Sequence, residues 1–89
     1  MKVGIGLPSA TSPPDGRVVA QWASAAEEAG FASVAVIDRL VAPAYDPLTV
    51  LAAAAAVTTR VRLYTSVMLT PLRPTAVVAS QAATVDRLS

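Results

Sequence analysis

Thr59-Arg60-Val61-Arg62-Leu63-Tyr64-Thr65-Ser66-Val67-Met68-Leu69-Thr70-Pro71-Leu72-Arg73 is the stretch whose reading decides the fold. It opens on a polar, basic corner, where a helix ends and a strand begins. Val61, Leu63, Thr65 and Val67 then occupy every second position, between Arg62, Tyr64, Ser66 and Met68, which is the pattern of a strand. Pro71 and Pro74 cannot donate to a sheet ladder, so the strand ends near Leu69. A strand entered from one helix and left toward another is the middle of a parallel α/β layer. Ligands of such layers sit at the carboxyl ends of the strands, here around Ser66, Val67 and Met68.

Upstream, residues 33–37 form a nearly continuous apolar run, as expected of a strand buried on both faces. The run stops at Asp38-Arg39. A solvated surface ion pair is one reading of these two residues. A carboxylate at the carboxyl end of a strand in this layer also marks a site residue. Residues 3–7 give a further short strand with Gly4 and Gly6 on one face. Gly-Ile-Gly-Leu-Pro-Ser lacks a third glycine and keeps both glycines within the strand, which argues against a dinucleotide phosphate loop and for close packing in a narrow barrel interior.

Helices separate these strands. Asp15 caps a helix over residues 16–29 whose inward stripe reads as Val18, Trp22, Ala25 or Ala26, and Ala29. Gly30 is its left-handed terminator, with Phe31 folding back on the last turn. Asp46-Pro47 opens a second helix over residues 48–58, centred on five alanines at 52–56. Residues 75–88 give a third, with Val77 or Val78, Gln81 or Ala82, Val85 and Leu88 facing inward. The strands begin near residues 3, 33 and 61, a βα period of roughly thirty residues, as in a (β/α)8 barrel. Residues 1–89 are therefore expected to form three βα units of a TIM-type barrel, with parallel strands in sequence order and helices on one face. They are expected to be the N-terminal, incomplete part of a single barrel domain, because three units cannot close a barrel.

Composition narrows the function. The net charge of +1, from seven scattered basic and six acidic residues, gives no electrostatic footprint for nucleic acid. With neither cysteine nor histidine, the chain has no disulfide, no thiolate or imidazole metal site and no histidine base. The apolar run around the alanines is far shorter than the roughly 18 residues of a membrane span. Pro8 follows too soon after Met1 for a secretory signal. The expectation is a soluble, cytoplasmic protein with no membrane or nucleic-acid partner and no metal.

These residues resemble a known family. Val34 to Arg39, Tyr45-Asp46-Pro47-Leu48 with the alanine-rich helix, the stretch from Thr59 to Arg73, and Gln81-Ala82-Ala83-Thr84-Val85-Asp86-Arg87-Leu88-Ser89 are similar to the N-terminal portion of luciferase-like (bacterial luciferase superfamily) flavin- or deazaflavin-dependent oxidoreductases. The resemblance covers nearly the whole chain. It implies a (β/α)8 barrel holding reduced FMN, or a deazaflavin of the coenzyme F-420 type, at the carboxyl ends of its strands. It also implies an oxidoreductase or monooxygenase acting on a small-molecule substrate, and a homodimer formed through the second and third helices. Asp38, Ser66 and Val67 are the implied cofactor contacts, with a non-prolyl cis peptide between Ser66 and Val67. Arg39 stands where the family carries the histidine of an Asp-His pair. A guanidinium cannot act as a base near neutral pH, but it can hold an anion such as a reduced flavin or a carboxylate substrate.

Later strands supply much of that family's pocket, so these 89 residues are expected to be inactive alone. A rival reading is a non-enzymatic remnant that serves as an assembly module through its alanine-rich helix. An α/β barrel without flavin is a third reading, and it leaves the Ser66 region unexplained.

Overall fold

The computed structural model describes residues 1–9, 15–39 and 44–89. Its elements follow the order β1 (Gly4–Gly6), α1 (Gly16–Glu28), β2 (Ser33–Val36), α2 (Pro47–Val57), β3 (Arg62–Thr65), a 3-10 turn (Thr70–Leu72) and α3 (Thr75–Leu88). The strands form one parallel sheet in the order β1-β2-β3. Ile5, Val34 and Leu63 are in register, flanked by the rows Gly4–Ser33–Arg62 and Gly6–Ala35–Tyr64. This is the expected three-unit start of a TIM-type barrel.

Alternation along the strands separates two faces. Val34, Val36 and Val61 are buried, with Ile5 and Leu63 packed against them, and α1 and α2 cover this face. The helices also pack on one another, α1 on α2 and α2 on α3. The opposite face carries Gly4, Gly6, Arg62 and Tyr64, all exposed, and Ser33 and Ala35, half-buried. Strand β2 is therefore fully buried on one face only, where both had been expected, because no described element layers over the concave side. A β-carbon at Gly4 would run into the Ser33 hydroxyl, so close approach is real there. Gly6 has no atom within 4 Å of that position, so the row is open at that end, with Tyr64 at the other.

Helix boundaries follow from their caps. Asp15 accepts the Arg17 amide at 2.9 Å, and Asp46 accepts the Thr49 amide at 3.0 Å and its hydroxyl at 2.8 Å. Helix α1 ends as the sequence indicates. Gly30 has φ +92°, its amide donates to the Glu27 carbonyl at 3.1 Å, and the Phe31 amide donates to the Ala26 carbonyl at 3.1 Å. The inward stripe of α1 holds at Ala26 but is otherwise corrected. Val19, Ala23 and Ala26 are buried, whereas Trp22 is 46% exposed. Small side chains let α1 settle against the alanine-rich α2, and indole bulk is displaced to the flank. In α3 only Val85 is buried, Val78 and Gln81 are half-buried, and Leu88 is exposed.

One contact links elements distant in sequence. The Glu27 carboxylate, in the last turn of α1, accepts the amides of Thr59, Arg60 and Val61 at the entry to β3, and the Arg60 guanidinium returns a bond to the Glu27 carbonyl. The free edge of β3 borders a groove of about 570 Å³ whose lining includes Leu48, Leu51, Leu63, Ala82 and Val85. It follows the edge of β3 that is unpaired among the described residues, from Thr58 to Thr65 at the end of the strand.

Candidate functional site

At the carboxyl ends of the strands, β2 runs out into Asp38, whose side chain is 1% exposed. A buried carboxylate needs partners for both oxygens. Arg73 supplies them as a fork, Nη2 to Oδ1 at 2.6 Å and Nε to Oδ2 at 3.1 Å, and the Leu69 amide donates to Oδ2 at 2.8 Å. The remaining Arg73 nitrogen, Nη1, reaches Asp46 Oδ1 at 3.0 Å, while Asp46 Oδ2 caps α2. A single guanidinium thus joins the exit of β2, the start of α2 and the segment that follows β3.

That segment contains Ser66 and Val67. Ser66 continues the ladder, its amide donating to the Val36 carbonyl at 2.7 Å, and the Ser66–Val67 peptide is cis. The period-two series ends at Thr65. Val67 is 70% exposed, and Met68 packs on the core, the reverse of the alternation expected from sequence. Ser66 and Val67 therefore lie uncovered at the carboxyl end of β3. Ser9, just beyond β1, is buried, its hydroxyl has no hydrogen-bond partner among the described residues, and its carbonyl accepts the Tyr45 amide at 2.8 Å.

The four residues singled out from sequence separate into two kinds. Ser66, Val67 and Arg39 are exposed, and Arg39 forms no ion pair among the described residues. Asp38, expected as a cofactor contact, has its carboxylate turned to Arg73 and the Leu69 amide, so it organises the protein's own loops. Arg73 and the second role of Asp46 were not visible beforehand. Asp46 has a local signature as a cap, but nothing local marks a partner 27 residues away. No group of residues suited to a metal ion occurs among the described residues.

Electrostatics follow from these bonds. Burial pushes the Asp38 pKa up, but the Arg73 hydrogen bonds, the Leu69 amide and the Arg73 charge outweigh it and hold the group below its ordinary value. Asp46 is likewise lowered, since the Thr49 and Arg73 bonds overcome the opposing effect of burial. Arg73 is raised, chiefly by its bonds to Asp38. Glu27 is lowered, first by the Arg60 amide and then by that of Val61.

Because these three carboxylates are depressed on folding, the unfolded chain takes up protons first as pH falls. Their stabilisation is complete above the ordinary values of 3.8 for Asp and 4.5 for Glu, and is lost as pH falls through the lower folded-state values. Melting temperature should therefore decline below about pH 4. Glu27→Gln should melt lower at pH 7 and show a shallower acid decline. Parallel acid profiles of the variant and the parent would show that Glu27 has no part in this linkage.

The model of the luciferase-like monooxygenase family matches residues 1–89. No curated protein matches the chain. Among solved structures, the chain is similar to the monooxygenase RslO1 from Streptomyces bottropensis, with 32% identity and a TM-score of 0.81. The match covers 100% of this chain and 30% of that one. Among the described residues no helix is long and apolar enough to cross a membrane. With a family model spanning every residue and a solved monooxygenase sharing the arrangement of strands and helices, the chain belongs to the luciferase-like monooxygenase family.

Proposed function

We propose that this chain forms part of an oxidoreductase, of the monooxygenase type, that binds a flavin-type cofactor and a small-molecule substrate at the carboxyl ends of its strands. The observation that carries this reading is the open concave strip there. Gly6 and Ala35 leave that part of its floor without bulk beside the exposed Tyr64, and Ser66 and Val67 stand uncovered at its edge. Such a strip fits a flat ring approached by backbone. Ser66 and Val67 would meet the ring, and Arg39 would attract the charge of a reduced flavin or an anionic substrate. A bound reduced flavin supplies hydride or activates oxygen, and a deazaflavin supplies hydride. Asp38 acts behind this surface by holding its loops.

The same reading includes a cytoplasmic homodimer through α2 and α3, where Thr49, Ala53 and Ala56 form an exposed stripe of small side chains on α2. The test is to purify the product of the complete reading frame and record its absorption with FMN, and separately with a deazaflavin. Saturable binding of one, with a shifted flavin spectrum, is the expected result, and its identity selects the cofactor. Binding of neither overturns the reading.

A further inference from the structure

We propose that Arg73 is the positioning residue of this face. By fixing Asp38 and Asp46 together, it sets where residues 66–69 lie against the end of β2. The placement is argued from geometry alone, and its effect on a ligand rests on the flavin-type reading above.

Of residues 66–69, only Met68 packs against the core. Ser66 and Val67 are exposed, and only Met68 and Leu69 are partly covered. Besides the local bond of the Leu72 amide to the Leu69 carbonyl, two of its backbone amides are anchored among the described residues, and both lead to the exit of β2. One is the Ser66 amide on the Val36 carbonyl, at 2.7 Å. The other is the Leu69 amide on Asp38 Oδ2, at 2.8 Å. The first belongs to the sheet ladder and is rigid. The second is only as fixed as the Asp38 side chain, which turns about two torsions unless something sets the plane of its carboxylate.

The Arg73 fork sets that plane. Two parallel N–H donors on two oxygens leave one orientation, which the point charge of a lysine cannot impose. The third nitrogen refers the assembly to a rigid element, because Asp46 is bound to the first turn of α2 through Thr49. Asp38 beyond β2, the segment after β3 and the start of α2 are then tied together through one side chain. Arg73 itself is 14% exposed and faces the two carboxylates, so it acts through Asp38 and not on a ligand.

Hydrogen exchange of the full chain, with and without Arg73→Lys, tests this. Lysine keeps the charge, so the fold survives, but the fork is gone. The Leu69 amide should exchange at least ten-fold faster, while the amides of β3 keep their rates. Asp38→Asn, which keeps the shape and removes the charge, should do the same. An unchanged Leu69 rate, or an equal acceleration throughout β3, would overturn the proposal.

A second arm measures the affinity of the cofactor selected above, well below the melting temperature. Arg73→Lys should weaken it about ten-fold, the equivalent of about 1.4 kcal/mol. Faster Leu69 exchange with unchanged affinity would overturn the link from positioning to ligand. If the parent protein binds no flavin, the cofactor reading fails, and the exchange rates still decide the role of Arg73.

Discussion

Replacing Arg73 with alanine is expected to destabilise the protein by about 3 kcal/mol at neutral pH. Breaking a buried ion pair from one side costs roughly 3–5 kcal/mol, because the charge left behind keeps its desolvation penalty without its partner. Here the abandoned group is Asp38, with a side chain 1% exposed and only the Leu69 amide remaining to it. The low end of the range applies because Asp46, the other partner, is 38% exposed and rehydrates. Against the roughly 5–15 kcal/mol of a small domain, this is a large share. Urea unfolding of parent and variant measures it. The difference should narrow in acid, where Asp38 in the variant takes up a proton and its charge disappears. A loss below about 1 kcal/mol is what a solvated surface pair gives, and would mean that Asp38 is hydrated in solution.

Two adjacent alanines of α2 should behave in opposite ways. Ala54 is 0% exposed, in the middle of the helix layer, and Ala53 points outward. A glutamate at Ala54 adds bulk to a packed interior, at about 1–3 kcal/mol, and an unpaired carboxylate besides, at several more. Ala54→Glu should therefore fail to fold, with loss of the cooperative melt. Ala53→Glu should keep the fold and melt within about 0.5 kcal/mol of the parent, as exposed substitutions do. On the proposed dimer, the second variant should sediment as a monomer. A folded Ala53→Glu dimer would remove this face of α2 from the interface. A folded Ala54→Glu would contradict the burial of the helix.

Much of this fold was legible because its signals are local. Asp15 and Asp46 cap the helices that begin beside them, Gly30 ends α1, and alternation from Val61 to Thr65 set the faces of β3. Strand order followed from the βα period. The stripe of α1 was misjudged because hydrophobicity ranks Trp22 above Ala23, whereas close helix packing selects the smaller side chain. At the candidate site, Ser66, Val67 and Arg39 were found at the surface where strand ends had placed them. The Asp38–Arg73 pair was out of reach. It spans 35 residues, and its geometry exists only once the residues just beyond β2 and just beyond the 3-10 turn come together. The sequence shows Asp38 at a strand end, but not that its carboxylate bonds Arg73 and the Leu69 amide.

The Glu27 contact has a consequence for how such a chain tolerates recombination. Glu27 closes the first βα unit, yet the amides it accepts open the third, 32 to 34 residues later, passing over β2. Arg73 ties the third unit back to the second at the opposite end of the sheet. Each unit thus carries a polar group whose counterpart belongs to another, and the units are not interchangeable cassettes. A chimera that imports the first unit from a relative must bring an acceptor at position 27, or the entry to β3 loses its terminal carboxylate. A crossover between Asp46 and Arg73 separates the halves of the upper network, whereas one between Gly30 and Ser33 leaves that network whole and divides only the lower clamp.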